Sequence, residues 1–411
     1  MGTVLELDPG HRSRRRPVAR TRRRSPENSS ALKALDVLAQ SHSFEGIQRE
    51  AEAGKSVIWG GYSWDSPLIY ACDTIPVGYD QLWAEDSRKS EAIAEDHFQI
   101  PGEFCSMIKA MIGRLHTDRD SKIKRVLHFG SGCEPISAVL ELAKRDGYDI
   151  QTVDTVTAFR SAEKRDYAIA FLVHELQRTA HWLTGKPADE ARVGDEIRRK
   201  NQILRKVGRA MELRSRYPLY VQGLATKQVI MGSMHSYGNP EAFGAVLDTL
   251  IGELEDLEND PAPLPPTYIP LVLAGSVGNL LLFQAIEESN GAILGWVYHG
   301  SHEYREDVPP LESLAHFVLD AQSRGDLGEA VGASVAYRRI AVEEEVRRTG
   351  ARGIISSSIT GCPYASLMQQ LERDHFKQLG IPLIALETDV HREPPTEEQI
   401  MRVKAFIEML S

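Results

Sequence analysis

The alternation of short apolar strands with helices is the feature that most restricts the fold of this chain. It is clearest in the stretch IKRVLHFGSGCEPISAVLELAKRDGYDIQTVD, which has an apolar strand at Val126–Phe129, a Gly/Ser loop, a helix that runs to Lys144 and a second strand near Ile150–Val153. A strand, a helix and a strand in this order form a crossover between parallel strands. The stretch therefore predicts a parallel sheet with helices packed on it.

The same alternation returns in the last third of the chain, where the predicted strands are YIPLVLAGS, AILGWVYH, GIISSSIT and IPLIALETD. Between the two regions, the sequence from Ala162 to Asp256 shows helical patterns and no strand pattern. We therefore predict the α/β class, with two doubly wound (Rossmann/flavodoxin-like) parallel-sheet lobes joined by a helical segment. The predicted units are a disordered basic arm at 1–30, a first lobe at 31–165, a helical segment at 166–262 and a second lobe at 263–411.

Two further patterns precede the first clear crossover. In SVIWGGYSWDSPLIYACDTIPVGYD, short apolar runs alternate with glycine and proline, which predicts strands separated by tight turns. From Pro101 to His116, apolar residues recur at helical spacing behind an initial proline. Cys105 is therefore predicted in the first turn of a helix.

Length and composition exclude several classes of protein. A chain of 411 residues is too long for one ordinary core, and 42% hydrophobic with 26% charged residues is typical of a soluble globular protein. No apolar run reaches the roughly 18 residues of a membrane helix and no signal peptide opens the sequence, so we expect a cytoplasmic protein with no membrane partner. The segment 11–24 carries eight arginines, but residues 25–411 carry 40 bases against 56 acids. Such an acidic body argues against a nucleic-acid partner.

The four cysteines can be interpreted either as structural residues or as metal ligands. Their number and wide spacing fit neither a disulfide framework nor a zinc finger. Cys133 in FGSGCEP and Cys362 in SITGCPY each follow a predicted strand and precede a predicted helix, where reactive groups collect and the helix dipole favours a thiolate. Two possibilities stay open: buried thiols that act as small apolar side chains, or ligands that the fold brings together.

Several stretches resemble the 2-hydroxyacyl-CoA dehydratase and benzoyl-CoA reductase family, and the likeness covers most of residues 55–411. They are SPLIYACDTIPVGYD, PGEFCSMIK, SGCEPISAVLELAK, LVLAGSVGN and the C-terminal sequence that begins GIISSSITGCPY. The resemblance implies that Cys105, Cys133 and Cys362 hold one [4Fe-4S] cluster and that Cys72 is a spare thiol in the core. The segment GWVYHGSHEYRE departs from the acidic pair and further cysteine of typical members, which leaves the substrate and subfamily open.

The resemblance also implies a reaction and partners. It implies that a separate ATP-dependent iron–sulfur activator protein delivers low-potential electrons to the cluster, that the substrate is an acyl-CoA, and that a homologous second subunit completes a hetero- or homodimer. The reaction is either dehydration of a 2-hydroxyacyl-CoA or reduction of an aromatic acyl-CoA. The alternatives are a double-cubane-cluster reductase of the same family, a non-catalytic zinc- or CoA-binding protein, and a nucleic-acid accessory that uses the basic arm.

Other polar residues at predicted strand ends are weaker candidates. Ser276 in AGSVGN is a candidate for substrate binding, because backbone amides at a helix N-terminus can meet a thioester oxygen or a phosphate; an ordinary helix cap is the alternative. Glu387 and Asp389 either shape the site or cap the following turn. Four histidines near strand ends are not assigned a catalytic role: His128, His235, His299 and His302.

Overall fold

The computed structural model of the chain describes residues 26–60, 66–83, 87–129, 133–154, 162–259, 268–275, 281–297, 302–324, 335–388 and 395–411. These residues form two four-stranded sheets, and every strand pairs with its neighbours in parallel. Helices pack on both sheets.

The first sheet has the strand order β2-β1-β3-β4. Its strands are β1 (Ser56–Trp59), β2 (Thr74–Val77), β3 (Arg125–Phe129) and β4 (Asp149–Val153). The helices around it are α1 (Ser30–Ser41), α2 (Phe44–Glu52), α3 (Ser66–Ala71), α4 (Asp80–Trp83), α5 (Ser87–Asp96), α6 (Ser106–Thr117) and α7 (Glu134–Arg145). The reversal of strand order between β1 and β3 is the switch point at which open α/β sheets bind ligands.

Four long helices follow the first sheet, as predicted for the middle of the chain. They are α8 (Ala162–Thr184), α9 (Glu190–Arg214), α10 (Gly223–His235) and α11 (Pro240–Asn259). Helices α9 and α11 share a core that also receives Leu35 of α1. The start of α1 is tied to α11 because Glu253 accepts hydrogen bonds from the Ser30 amide at 2.9 Å and the Ser30 hydroxyl at 2.7 Å.

Two buried histidines join α1 to α10. His42 ends α1 and His235 ends α10, and their rings stack with centroids 4.5 Å apart. Burial lowers the pKa of His42 to about 4 and the pKa of His235 well below its usual value. Both rings are therefore neutral in the folded protein near neutral pH.

Side chains alternate between the faces of the first sheet, because successive residues of a strand point in opposite directions. Val57 and Val126 pack in one core with Met111 of α6. Ile58 and Leu127 pack on the opposite face, where α3 and α8 cover the sheet. Helices therefore shield both faces, as a parallel sheet requires.

The second sheet repeats the topology of the first, with the order β6-β5-β7-β8. Its strands are β5 (Ile269–Gly275), β6 (Gly291–Val297), β7 (Gly353–Ile359) and β8 (Leu383–Thr388). The accompanying helices are α12 (Leu281–Glu288), α13 (Pro310–Arg324), α14 (Val335–Thr349), α15 (Pro363–Gln378) and α16 (Glu397–Leu410). The predicted class, two doubly wound α/β lobes with a helical segment, is confirmed, while the predicted domain boundaries stay predictions.

Two local predictions are wrong. The stretch SPLIYA is the helix α3 and not a strand. The helix is buried on almost all sides, so its apolar residues show no helical period. Pro67 is tolerated because it lies in the first turn of the helix. Helix α6 begins at Ser106, so Cys105 is its N-cap and not part of its first turn. The preceding residues instead form a turn that the Phe104 amide closes onto the Pro101 carbonyl oxygen at 3.0 Å.

Among the residues that the structure describes, no helix has both the length and the apolar character needed to cross a lipid bilayer.

Candidate functional site

Three of the four cysteines stand at helix N-termini. Cys105 caps α6, Cys133 caps α7 and Cys362 caps α15. Cys133 lies beyond β3 and Cys362 beyond β7, which are the equivalent strands of the two sheets. The prediction that each of these cysteines follows a strand and precedes a helix is confirmed, and each lies at the switch point of its own sheet.

The segment that carries Cys362 packs directly on the segment that carries Cys105. The Ser106 amide donates a hydrogen bond to the Thr360 carbonyl oxygen at 3.1 Å. Gly361 has a φ of +76°, and a Cβ atom there would lie 2.8 Å from the carbonyl oxygens of both Glu103 and Phe104. Only glycine fits this contact without displacing backbone, so the approach of the two segments depends on it.

A buried lysine holds the turn before Cys105. The Lys109 ammonium group donates hydrogen bonds to the Glu95 carboxylate at 2.6 Å and to the Gly102 carbonyl oxygen at 2.5 Å, and it lies 3.3 Å from the Glu91 carboxylate. Its side chain is only 6% exposed, so these partners replace water for the charge. Lys109 could not be predicted as a buried residue from the sequence, because a lysine inside an amphipathic helix is normally on the solvent face.

The three sulfur atoms influence one another electrostatically. Burial raises the pKa of the Cys105 thiol to about 11; the backbone amides of Ile108 and Met107 oppose the shift, while Cys362 and Cys133 add to it. Burial also raises the pKa of Cys133, again with a contribution from Cys362. Every pair of the three sulfurs is thus close enough to interact. Without a metal the Cys105 thiol stays protonated near neutral pH, whereas a metal would hold it as a thiolate.

The donors at the three helix N-termini are cysteine thiols, the ligand type that iron–sulfur clusters use. Among the described residues, no three His, Cys, Asp or Glu side chains come close enough together to share one metal ion. In a cubane cluster each thiolate binds a different iron atom, so the ligands stand farther apart than they do around one ion. The three cysteines stand on separate helices, and structural zinc normally uses four ligands.

A buried polar network supports α15, the helix that Cys362 caps. Glu372 is fully buried, accepts a hydrogen bond from the Arg338 guanidinium at 2.5 Å and another from the Ser356 hydroxyl at 2.8 Å. Gln369 donates to the Ser356 carbonyl oxygen at 2.8 Å. These bonds join α14, β7 and α15 and so hold the helix against the sheet. The ion pair of Arg338 with Glu372 was not predicted from the sequence, although consecutive serines in the buried strand GIISSSIT indicate that polar partners face it.

The remaining candidates lie outside the described residues, in another core or near Cys362. Ser276, His299 and Asp389 fall outside the described residues. Cys72 packs against the edge of a core formed mainly by α3, α8, α9 and α13, in keeping with the predicted structural role. Glu387 lies near Cys362, because the Ser366 hydroxyl hydrogen-bonds both the Glu387 carboxylate at 3.2 Å and the Cys362 carbonyl oxygen at 3.1 Å.

The fold and the site together define a two-lobed α/β protein with three cysteines gathered at helix N-termini. A family model described as 2-hydroxyglutaryl-CoA dehydratase, D-component, matches residues 65–410. The chain belongs to this family, which confirms the family predicted from its sequence, and it is a component of an enzyme of the 2-hydroxyacyl-CoA dehydratase type. A search of curated proteins found no match.

Proposed function

We propose that this chain is the [4Fe-4S] cluster-bearing subunit of a radical-type enzyme that dehydrates a 2-hydroxyacyl-CoA, with Cys105, Cys133 and Cys362 as the cluster ligands. The observation that carries the proposal is the gathering of these three thiols from two lobes, at the N-termini of three helices. Three thiolates leave one iron of a cubane open to a substrate oxygen.

The chain's own residues have three tasks in this proposal. The three cysteines supply thiolates, and the positive ends of the helix dipoles stabilise their negative charge. Gly361 and the Ser106–Thr360 hydrogen bond keep the two lobes in contact beside the sulfurs. Cys105 is 7% exposed, which keeps water from that side of the site. When bound, the cluster supplies single-electron chemistry and a Lewis-acidic iron for the leaving hydroxyl.

The proposal includes partners, because the family's description names a component of an enzyme. A homologous second subunit completes a hetero- or homodimer, and an ATP-dependent iron–sulfur activator protein supplies low-potential electrons. The substrate is an acyl-CoA in the cytoplasm. Neither a membrane nor a nucleic acid is a partner in this proposal.

Anaerobic purification tests the cofactor. The full chain is expected to be brown and to contain iron and sulfide in the ratio of one [4Fe-4S] cluster per chain. Separate Cys105→Ser, Cys133→Ser and Cys362→Ser variants should lose most of this iron, whereas the matched control Cys72→Ser should retain it. Stoichiometric zinc, or a colourless protein without iron, contradicts the proposal.

The reaction is tested with the reconstituted system. The chain, its second subunit, an activator, ATP and a strong reductant are incubated with a 2-hydroxyacyl-CoA, and formation of the enoyl-CoA is followed. Benzoyl-CoA in place of that substrate tests the alternative reaction, reduction of an aromatic ring. Conversion of benzoyl-CoA without conversion of any 2-hydroxyacyl-CoA would assign the reductase reaction instead.

A further inference from the structure

Ser106 is a buried serine beside the site whose hydroxyl is not used within the protein. The residue is 3% exposed, and its Oγ has no hydrogen-bond partner among the residues that the structure describes. A buried hydroxyl without a partner costs free energy, and a bound group that accepts its hydrogen bond is one way in which that cost is offset.

The position of Ser106 explains why the helix cannot use this hydroxyl. Serines inside helices commonly donate to the carbonyl oxygen four residues earlier. Ser106 is the first residue of α6, so the residue four positions earlier, Gly102, lies outside the helix, in the turn that Lys109 holds. No intrahelical acceptor is therefore available to Ser106.

The other two cysteine-capped helices show the opposite arrangement. Each carries a serine four residues after its cysteine, Ser137 in α7 and Ser366 in α15. Ser137 is within hydrogen-bonding distance of the His128 ring at 3.2 Å, and Ser366 bonds the Cys362 carbonyl oxygen at 3.1 Å. Both hydroxyls are already engaged inside the protein. Ser106 differs from them because its hydroxyl is still available.

Ser106 lies at the end of α6 that faces Cys105. Each Cα–Cβ bond in an α-helix tilts toward the helix N-terminus, which for α6 is the end that Cys105 caps. The Ser106 amide also contacts Thr360, two residues before Cys362. The hydroxyl thus belongs to the junction between two cysteine-bearing segments.

We infer that the Ser106 hydroxyl donates a hydrogen bond to an inorganic sulfur of the bound cluster, and thereby raises the reduction potential of the cluster. The inference rests on the proposed function. Reduction adds negative charge to the cluster, and a donor at a sulfur stabilises the reduced state more than the oxidised one. Ser106 is a positioning and tuning residue in this account, and no bond to it forms or breaks.

The experiment is an anaerobic redox titration of the full chain followed by electron paramagnetic resonance. Ser106→Ala should lower the midpoint potential by about 59 mV, the value of a roughly tenfold change in a one-electron equilibrium. Ser106→Thr, which keeps the hydroxyl, should restore the wild-type midpoint. Ser366→Ala is the matched control, a serine beside another cysteine whose hydroxyl is engaged, and it should leave the midpoint unchanged.

The outcomes separate this inference from the proposal beneath it. A wild-type chain without iron contradicts the proposed function and the inference together. An iron-containing Ser106→Ala variant with the wild-type midpoint overturns the inference alone. If Ser106→Ala does not hold iron, the iron contents of Ser106→Thr and Ser106→Val are compared, because these two side chains are nearly isosteric. Iron in the threonine variant but not in the valine variant supports the inference. Equal iron contents overturn it.

Discussion

Replacing Gly361 by alanine tests the contact between the two lobes. Alanine in the left-handed conformation that Gly361 adopts, with a φ of +76°, costs about 1–2 kcal/mol. The added methyl group would also lie 2.8 Å from two backbone carbonyl oxygens, those of Glu103 and Phe104, and such overpacking adds about 1–3 kcal/mol. We therefore expect Gly361→Ala to lower the free energy of unfolding by about 2–5 kcal/mol.

Gly380 provides the matched control. It lies just after α15, the helix that Gly361 precedes, and it has a similar φ of +68° but no atom within 4 Å of an added Cβ. Gly380→Ala should therefore show only the conformational cost of about 1–2 kcal/mol. Urea unfolding followed by circular dichroism measures both variants. Iron content after anaerobic purification gives a second result, since displacement of Cys362 should release iron from Gly361→Ala alone. Equal losses in the two variants would refute the idea that backbone contact at Gly361 joins the lobes.

Three further predictions concern stability. Burial lowers the pKa values of His42 and His235 below 6.5, so their contribution to stability is complete above pH 6.5 and is lost as the pH falls toward 4. The free energy of unfolding should fall by roughly 1.4 kcal/mol per pH unit for each ring in this range. Unfolding in urea at a series of pH values checks this, and His42→Phe should reduce the dependence of the free energy of unfolding on pH. Removing one member of the buried Arg338–Glu372 pair, as in Glu372→Gln or Arg338→Met, should lower the free energy of unfolding by about 3–5 kcal/mol. A double-mutant cycle should show strong coupling between the two residues, and additive losses would contradict a direct pair. Glu253→Ala should cost about 1–3 kcal/mol and expose the start of α1 to proteolysis, and unchanged protease resistance would show that this anchor is dispensable.

The parts of the fold that could be predicted are those with a clear period in the sequence. The sequence of β3 contains a short apolar run, and glycines follow both β3 and β7 in the sequence, so the positions of Cys133 and Cys362 between strand and helix could be predicted. The shared order of the two sheets could not be predicted, because the sequences of the two lobes show no repeat. Topology depends on which strands pair over long distances, and a single sequence does not record that choice.

The errors and omissions have physical causes. Helix α3 is buried on nearly all sides, and a helix without a polar face has no amphipathic pattern that distinguishes it from a strand. The pairing of Arg338 with Glu372 joins residues that are polar in sequence and therefore look solvent-exposed until the structure shows them buried. The contact between Gly361 and the turn before Cys105 depends on a backbone approach over more than 250 residues of sequence, which local patterns do not contain.

The equivalent placement of Cys133 and Cys362 has a consequence for how the molecule survives exposure to air. The two residues are 229 positions apart, so a cofactor bound to both would close a very long loop in the unfolded chain. Cross-links of that length reduce the entropy of the denatured ensemble by an amount worth about 5 kcal/mol. Oxidative loss of the proposed cluster would therefore remove a cross-link between the two lobes as well as the reactive centre. Oxygen would then lower the stability of the folded protein.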